Sequence, residues 1–321
     1  MSCKTRKLLL FLFAIAATSP ALAKEKSSAI DDPFATGIRL ASEKKYAQAS
    51  EKFELAVKED PTFIAAYVES ARALVLAGKR KDGLKRIEAA LQIARKKFDL
   101  DRLKNQRRLL SEIFYTNATY QRYQDGVNHM QGMKLRAAIE AFEQALATEP
   151  DNVEVMIAYA RALQAVDDWK ESVNVLEQAF ALNPDKKEAR LLLAKALLST
   201  NQERTIQLLR PLIDDPLESE DVVVTYAQAL AKRGQTAEAI AILQRDVDRR
   251  TDRLRTLYWL GKYHSDSPDN RWVARKHLHT FLKRSERAEG EDELRGLQQE
   301  AKRIVERLDG ELEIDTQEEN Q

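Results

Sequence analysis

The stretch Ala138–Pro150, AIEAFEQALATEP, decides the fold, because its small, aromatic and helix-ending residues recur elsewhere at the same offsets. In this stretch Ala138, Phe142, Ala145 and Pro150 set the pattern. Two further stretches keep the spacing: Ala49, Phe53, Ala56 and Pro61, and Ser172, Leu176, Ala179 and Pro184. Pro150 and Pro184 are 34 residues apart, which indicates an internal repeat of that length.

The pattern predicts that each repeat is a pair of helices. Small residues let two helices approach closely, large residues fill the space between one pair and the next, and proline cannot continue a helix. A single pair cannot bury its own apolar face, so the pairs must stack. The composition agrees, since good helix formers dominate and the chain has only 10 glycines and 8 prolines.

The pattern resembles the tetratricopeptide repeat, a 34-residue helix–turn–helix unit. The best matches are TGIRLASEKKYAQASEKFELAVKEDP at 36–61 and DGVNHMQGMKLRAAIEAFEQALATEP at 125–150. The resemblance implies an all-α solenoid, a right-handed superhelix of about seven helix pairs with a concave side. The predicted pairs occupy 30–63, 64–97, 119–152, 153–186, 187–218, 220–253 and 254–287. Pro211 lies inside the second helix of the fifth pair, where it predicts a kink.

Three segments lie outside the repeat register. Residues 98–118 carry apolar residues at helical intervals, which predicts either an inserted helix or an extension of the next helix. Residues 288–309 place Leu294, Leu297, Ala301, Ile304 and Leu308 on one stripe, as expected of a terminal capping helix. The polar, acidic residues 310–321 are predicted to be a disordered tail.

The first 23 residues have the order of a secretory signal. A positive start is followed by ten apolar residues, LLLFLFAIAA at 8–17, and by small residues ending at Ala23. We expect cleavage after Ala23, with 24–29 as a linker; the alternative is that the segment stays as an anchor. This order predicts export across an inner membrane, most simply into a bacterial periplasm. The only cysteine, Cys3, lies within the signal, so the mature chain would have no thiol.

The sequence offers no motif for catalysis or for a cofactor. It has no Gly-rich phosphate loop, no Gly-x-Ser-x-Gly elbow and no His-Glu-x-x-His pair. His277 and His279 are two residues apart on a predicted helix, so they point to different faces and cannot readily chelate one metal ion. The formal net charge of +1 provides no general attraction to nucleic acid. We therefore predict a non-enzyme without metal or cofactor.

Candidate binding residues come from the resemblance, which implies that ligands contact the first helix of each pair, here called helix A. Repeat position 5 forms an apolar row that includes Tyr123, Ile157, Leu191 and Tyr258. Repeat position 9 forms a cationic row that includes Arg72, Arg161, Lys195 and Lys262. Together the rows predict a groove for an extended peptide or partner protein with acidic residues or a free carboxylate. The alternatives are that the apolar row packs against the neighbouring pair and that the cations are solvated.

These observations favour a non-catalytic, exported protein-interaction scaffold that supports assembly of an envelope or secretion complex. The alternative is a polysaccharide- or cell-wall-binding protein, which would use Tyr120, Tyr123 and Tyr258 as aromatic platforms. The cluster Tyr115, Tyr120 and Tyr123 beside the irregular segment is a second candidate surface, or else part of the core of that junction.

Overall fold

The computed structural model describes residues 32–215, 218–286 and 292–319. The predicted signal segment and linker lie outside the described residues. Every regular element within the described ranges is helical and none is a strand, so the predicted all-α solenoid is confirmed. The chain divides into two compact units, one up to Ala162 together with Ala181–Asp185 and the other formed by Leu163–Phe180 with the residues from Lys186 onward.

Seven consecutive helix pairs, each a helix A followed by a helix B, make up most of the described chain. The helices A are α1 (Pro33–Ser42), α3 (Ile64–Leu76), α6 (Asn117–Gln131), α8 (Val153–Ala165), α10 (Lys187–Leu197), α12 (Glu220–Lys232) and α14 (Leu254–His264). The helices B are α2 (Tyr46–Glu59), α4 (Arg80–Ile93), α7 (Leu135–Thr148), α9 (Trp169–Leu182), α11 (Gln202–Leu209), α13 (Thr236–Arg249) and α15 (Arg271–Ser285). Two helices stand outside the pairs: α5 (Lys97–Glu112) and α16 (Asp292–Glu319).

The recurring glycine and phenylalanine explain how closely the two helices of a pair approach. A Cβ atom added to Gly126 would lie 2.4 Å from a ring carbon of Phe142, and one added to Gly37 would lie 2.6 Å from the ring of Phe53. Both phenylalanines are fully buried. The phenyl ring of helix B therefore occupies the space that a side chain on helix A would need.

The turns between helix A and helix B share one backbone feature. A residue with positive φ recurs there, at Lys44, Gly78, Met133, Asp167 and Gly234. Glycine adopts this left-handed conformation without strain, whereas other residues adopt it at some cost. In the fifth pair it is the end of helix B that is irregular: α11 ends at Leu209 and the chain continues as a short 3₁₀ turn, Arg210–Leu212. Pro211 has no amide to continue the α-helical hydrogen bonding at that point.

Helix α5 is a separate inserted helix, and it keeps the register of the repeat. Gln106 lies 34 residues after Arg72 on α3, and the Arg72 guanidinium donates to the Gln106 side-chain oxygen at 3.2 and 3.0 Å. Leu103 and Leu110 are buried in the same apolar cluster as residues of α3 and α4. Helix α5 therefore occupies the place of a helix A, but the next helix along the chain is another helix A and not a helix B.

A buried ionic cluster, which we call the clasp, fixes the ends of α5 and α6 to the preceding and following pairs. Its members are Arg80, which is 0% exposed, Glu149 and Asp151. Arg80 contacts Glu149 at 2.9 Å and Asp151 at 3.3 Å, and it also donates to the carbonyl oxygens of Leu110, at 3.1 Å, and Ile113. The other oxygen of Glu149 accepts hydrogen bonds from the amides of residues 115 and 116 at 3.1 and 3.0 Å. The clasp thus satisfies backbone groups that the α5–α6 connection would otherwise leave unpaired.

The last helix, α16, covers the seventh pair. Leu294, Ala301, Val305 and Leu308 are buried in one cluster with residues of α14 and α15. Residues 310–321 are predicted from the sequence to be disordered, but α16 continues to Glu319. Of this stretch, only residues 320 and 321 lie outside the described part of the chain. The cause is the high helix propensity of this Glu-rich stretch, supported by Glu311, which pairs with Arg271 at 3.1 Å.

Candidate partner-binding face

The candidate binding residues lie on helices A, four in each compact unit. Arg72, Tyr123, Ile157 and Arg161 belong to the first unit, and Leu191, Lys195, Tyr258 and Lys262 to the second. The packing of each side chain determines what it can offer to a partner.

Of the four candidate residues in the apolar row, two lie in the core. Ile157 is 2% exposed and Tyr258 is 0% exposed. The Tyr258 ring packs 5.5 Å from Phe281 of the same pair and 5.3 Å from Trp259. Both residues were predicted to contact a partner. The structure corrects that prediction, since the position-5 side chains at these two places are used to pack the helices together.

The other two members of the apolar row are partly accessible. Leu191 on α10 and Tyr123 on α6 are each of intermediate burial. The Tyr123 ring lies 5.1 Å from Phe114 and 6.1 Å from Phe142, and its hydroxyl is 3.5 Å from a carboxylate oxygen of Glu154 on α8. Tyr123 is therefore held by the α5–α6 connection and keeps only part of its surface for a partner.

The aromatic cluster beside the irregular segment belongs largely to the junction. The Tyr115 ring lies 5.0 Å from the Arg80 guanidinium, an arrangement that shields the clasp. Burial raises the pKa of Tyr115, as does the nearby carboxylate of Glu149. Tyr120 packs edge-on against Phe114 at 5.4 Å. Of the two readings of this cluster, the structure favours a packing role.

Arg72, the first member of the cationic row, is engaged within its own unit. Its guanidinium lies 2.8 Å from Glu69, and two of its nitrogens contact Gln106 on α5. Burial raises the pKa of Glu69, while the positive charges of Arg72 and Arg102 oppose that effect. Helix α5 therefore lies where a ligand of Arg72 would have to bind.

Lys195 and Lys262 are paired with acids of the next helix along the row. The Lys195 ammonium lies 2.6 Å from Asp221 on α12, which also contacts Arg255. Burial acts to raise the pKa of Asp221, but these two cations outweigh it and the pKa is lowered. Lys262 lies 2.6 Å from Glu300 on α16 and 4.9 Å from the centre of the Trp259 ring. Its hydrogen bond lowers the pKa of Glu300.

We call this series of contacts the ladder. In it, a position-9 cation on a helix A forms an ion pair with an acid on the helix that packs beside that helix A, which is α12 for Lys195 and α16 for Lys262. Lys195–Asp221 and Lys262–Glu300 are its two rungs. Arg161 is the exposed member of the cationic row. The sequence could not reveal the rungs, because their partners are 26 and 38 residues away and only the stacking of the pairs selects them.

The described residues show no arrangement suited to metal chemistry. Across 32–215, 218–286 and 292–319 no group of three or more His, Cys, Asp or Glu side chains could hold a metal ion. The His277 ring stacks on the His264 ring, with ring centres 5.9 Å apart. In the same ranges no helix has the length and apolar character needed to span a membrane.

Comparison with known proteins agrees with the repeat. Residues 132–176 match the family model of the tetratricopeptide repeat. This segment is similar to the tetratricopeptide repeat, as the sequence pattern indicated. No curated protein sequence matches the chain.

Among solved structures, similar chains include MamA residues 41 to the end from Desulfovibrio magneticus RS-1, with 15% identity, 55% of this chain and 99% of that chain covered, and a TM-score of 0.49. Yeast Tom70 has 12% identity and a TM-score of 0.48, covering 94% of this chain and 69% of that one. YrrB, described as a repeat protein with an unusual peptide-binding site, has 19% identity and a TM-score of 0.40, covering 65% and 97%. At these levels of similarity we transfer no property of those proteins.

Proposed function

We propose that this protein is a non-catalytic scaffold that binds a peptide or a partner protein along the accessible parts of its helices A. The observation that carries the proposal is the tandem series of helix pairs, in which residues 132–176, from α7 into α9, match the tetratricopeptide repeat model. Stacked repeats of this kind present extended surfaces for binding rather than an enclosed active site. We further propose that the chain is exported and supports assembly of an envelope or secretion complex, as the signal-like order of residues 1–23 suggests.

The partner is proposed to carry acidic residues or a free carboxylate. Support comes from the cationic row, where Arg161 is exposed and Lys262 and Lys195 keep about a third of their side-chain surface, at 31% and 37%. A partner carboxylate could bind to Lys195 or Lys262 only in competition with Asp221 or Glu300. Such competition makes binding sensitive to both members of a rung.

The Lys262–Glu300 rung allows a test with a matched control. Lys262→Glu places two carboxylates together, and the swapped variant Lys262→Glu/Glu300→Lys restores the pair with reversed polarity. Each variant is used to retain proteins from envelope extract, and the retained proteins are quantified against wild type. If a partner carboxylate uses Lys262, both variants lose the partner. If Lys262 contributes only through its ion pair with Glu300, the swapped variant retains the partner again, and the acidic-partner proposal fails.

The same experiment tests the scaffold itself. Failure of the wild-type chain to retain any protein in excess of an unrelated helical protein would argue against it. Binding of glycan instead, lost in Tyr123→Ala, would favour the polysaccharide alternative, for which Tyr258 is no longer an available platform because it is buried. Export is tested separately by the N-terminal residue of the protein isolated from cells, which should be Lys24; a retained Met1 would contradict cleavage.

A further inference from the structure

Helix α5 presents a face that no helix of the described residues covers. In α3 the residues Tyr67, Ser70 and Ala71 are buried, and a Cβ atom added to Gly83 of α4 would lie 2.7 Å from the Ala71 carbonyl oxygen. The register shared by Arg72 and Gln106 places the equivalent positions of α5, 34 residues later, at Asp101, Lys104 and Asn105, and Arg108 corresponds to the partly buried Leu74. Asp101, Lys104, Asn105 and Arg108 are all exposed, because no helix B follows α5.

This uncovered face is rich in cations and carries one prominent apolar side chain. Its exposed basic residues, together with those of the preceding turn, are Arg95, Lys96, Lys97, Arg102, Lys104 and Arg108. Only Asp99 and Asp101 oppose them within the same stretch. Phe98, in the first turn of α5, is 75% exposed. We call this surface the basic face.

Three of these cations have no side-chain partner among the described residues. Within the described part of the chain, no ion pair or hydrogen bond engages the side chains of Lys96, Lys97 or Lys104. This distinguishes them from Lys195 and Lys262, which are held in the ladder. Arg108 makes local contacts only, at 3.0 Å to Asn105 and 3.6 Å to Glu112. The positive charge of the basic face is therefore available to an external anion.

We propose that the basic face contacts an anionic lipid surface. Clusters of four to eight basic residues on a helix are attracted to acidic headgroups, and each such residue strengthens the attraction. Phe98 projects from the helix beside three consecutive cations, so its ring can enter the headgroup boundary while the lysine ammonium groups remain with the phosphates. The contact is peripheral and does not depend on the proposed scaffold function.

A lipid surface fits these observations better than an acidic protein does. Phe98 protrudes, with 75% of its surface exposed, whereas a stable protein partner needs a complementary surface of about 800 Å² on each side. A fluid headgroup layer adapts to a protruding ring and a row of charges without a preformed pocket. The positive charge is also concentrated in the basic face, since the chain as a whole carries a formal net charge of only +1.

Vesicle sedimentation tests the proposal. The protein as isolated from cells is mixed with vesicles of phosphatidylcholine alone or with equal parts of phosphatidylglycerol, and the difference in bound fraction removes any charge-independent membrane attachment. We expect a preference for the anionic vesicles that weakens when ionic strength rises from about 0.05 to about 0.5 M. Lys96→Gln/Lys97→Gln should reduce that partitioning roughly 25-fold, at about fivefold for each cation. Phe98→Ala should reduce it about fivefold or more.

Matched variants control for net charge and for an exposed aromatic ring. Lys44→Gln/Lys58→Gln removes two exposed lysines, one in the turn after α1 and one in α2, and Trp272→Ala removes an indole that is 65% exposed elsewhere. Both should bind anionic vesicles as the wild type does. Equal binding to both kinds of vesicle, or equal losses in the control variants, would overturn the proposal. So would retention on poly-glutamate beads without any preference for anionic vesicles, which would assign the basic face to an acidic protein.

Discussion

Substituting Arg80 with alanine should selectively destabilise the first compact unit. The side chain is fully buried and provides the positive charge of the clasp, between Glu149 at 2.9 Å and Asp151 at 3.3 Å. Removing one member of a buried ion pair leaves the remaining charge uncompensated and costs about 3–5 kcal/mol. With a urea dependence of about 2 kcal/mol per M, the unfolding midpoint of this unit should fall by roughly 1.5–2.5 M.

Two optical signals separate the units in this experiment. Circular dichroism at helical wavelengths follows both units, whereas tryptophan fluorescence follows only the second, since Trp169, Trp259 and Trp272 all belong to it. In Arg80→Ala we expect an early transition by circular dichroism and a much smaller shift in the fluorescence transition. Lys81→Ala is the matched control, because its side chain is exposed and the neighbouring contact to Asp151 uses the backbone amide.

A second variant identifies the origin of the effect. Arg80→Met/Glu149→Gln removes the positive charge and one negative charge together, so it should recover about 1–2 kcal/mol relative to Arg80→Met alone. A midpoint change below about 0.5 M in Arg80→Ala, or a double variant less stable than the single one, would refute the account of the clasp as a charge-compensated junction.

Other substitutions test the packing and the histidine pair. Gly126→Ala should destabilise the protein by about 1–2 kcal/mol in urea unfolding, because the new Cβ would lie 2.4 Å from the Phe142 ring. Gly296→Ala, with nothing within 4 Å, should instead stabilise α16 by about 0.5–1 kcal/mol, and equal effects at the two glycines would contradict this view. Burial lowers the pKa of His264 and of His277, so folding favours the neutral rings. Stability should therefore be complete above about pH 6.5 and decline below it. The melting temperature should drop between about pH 7.5 and pH 5.5, and less so in His277→Gln; an unchanged pH dependence in that variant would count against the pair.

The sequence predicted the features that arise from local periodicity. The 34-residue spacing predicted the helix pairs, and the stripe through Leu294, Ala301 and Leu308 predicted the face that α16 buries. An inserted helix was one of two expectations for residues 98–118, and α5 is that helix. These features follow from side chains a few residues apart, so no knowledge of distant partners is needed.

The features that the sequence missed depend on contacts between distant residues. Arg80 begins a helix in a run of charged residues and would be expected at the surface. In the structure it is buried and paired with Glu149, which lies 69 residues later in the chain. Likewise Lys262 reads as a free binding residue until Glu300 is placed beside it. An array of paired helices brings many acidic and basic side chains close together, and periodicity alone does not predict which of them form ion pairs.

The unpaired helix α5 also bears on how such chains can be built. Arrays of this kind are usually thought of as lengthened or shortened by complete modules, yet here half a module is accommodated in the middle. Two adaptations make this possible: a hydrophilic outer side on the odd helix, and a charge-compensated joint that satisfies the peptide groups around it. A designer who copies both could introduce a half-step into an artificial array at a chosen point, and thereby add a new exposed surface without weakening the modules on either side.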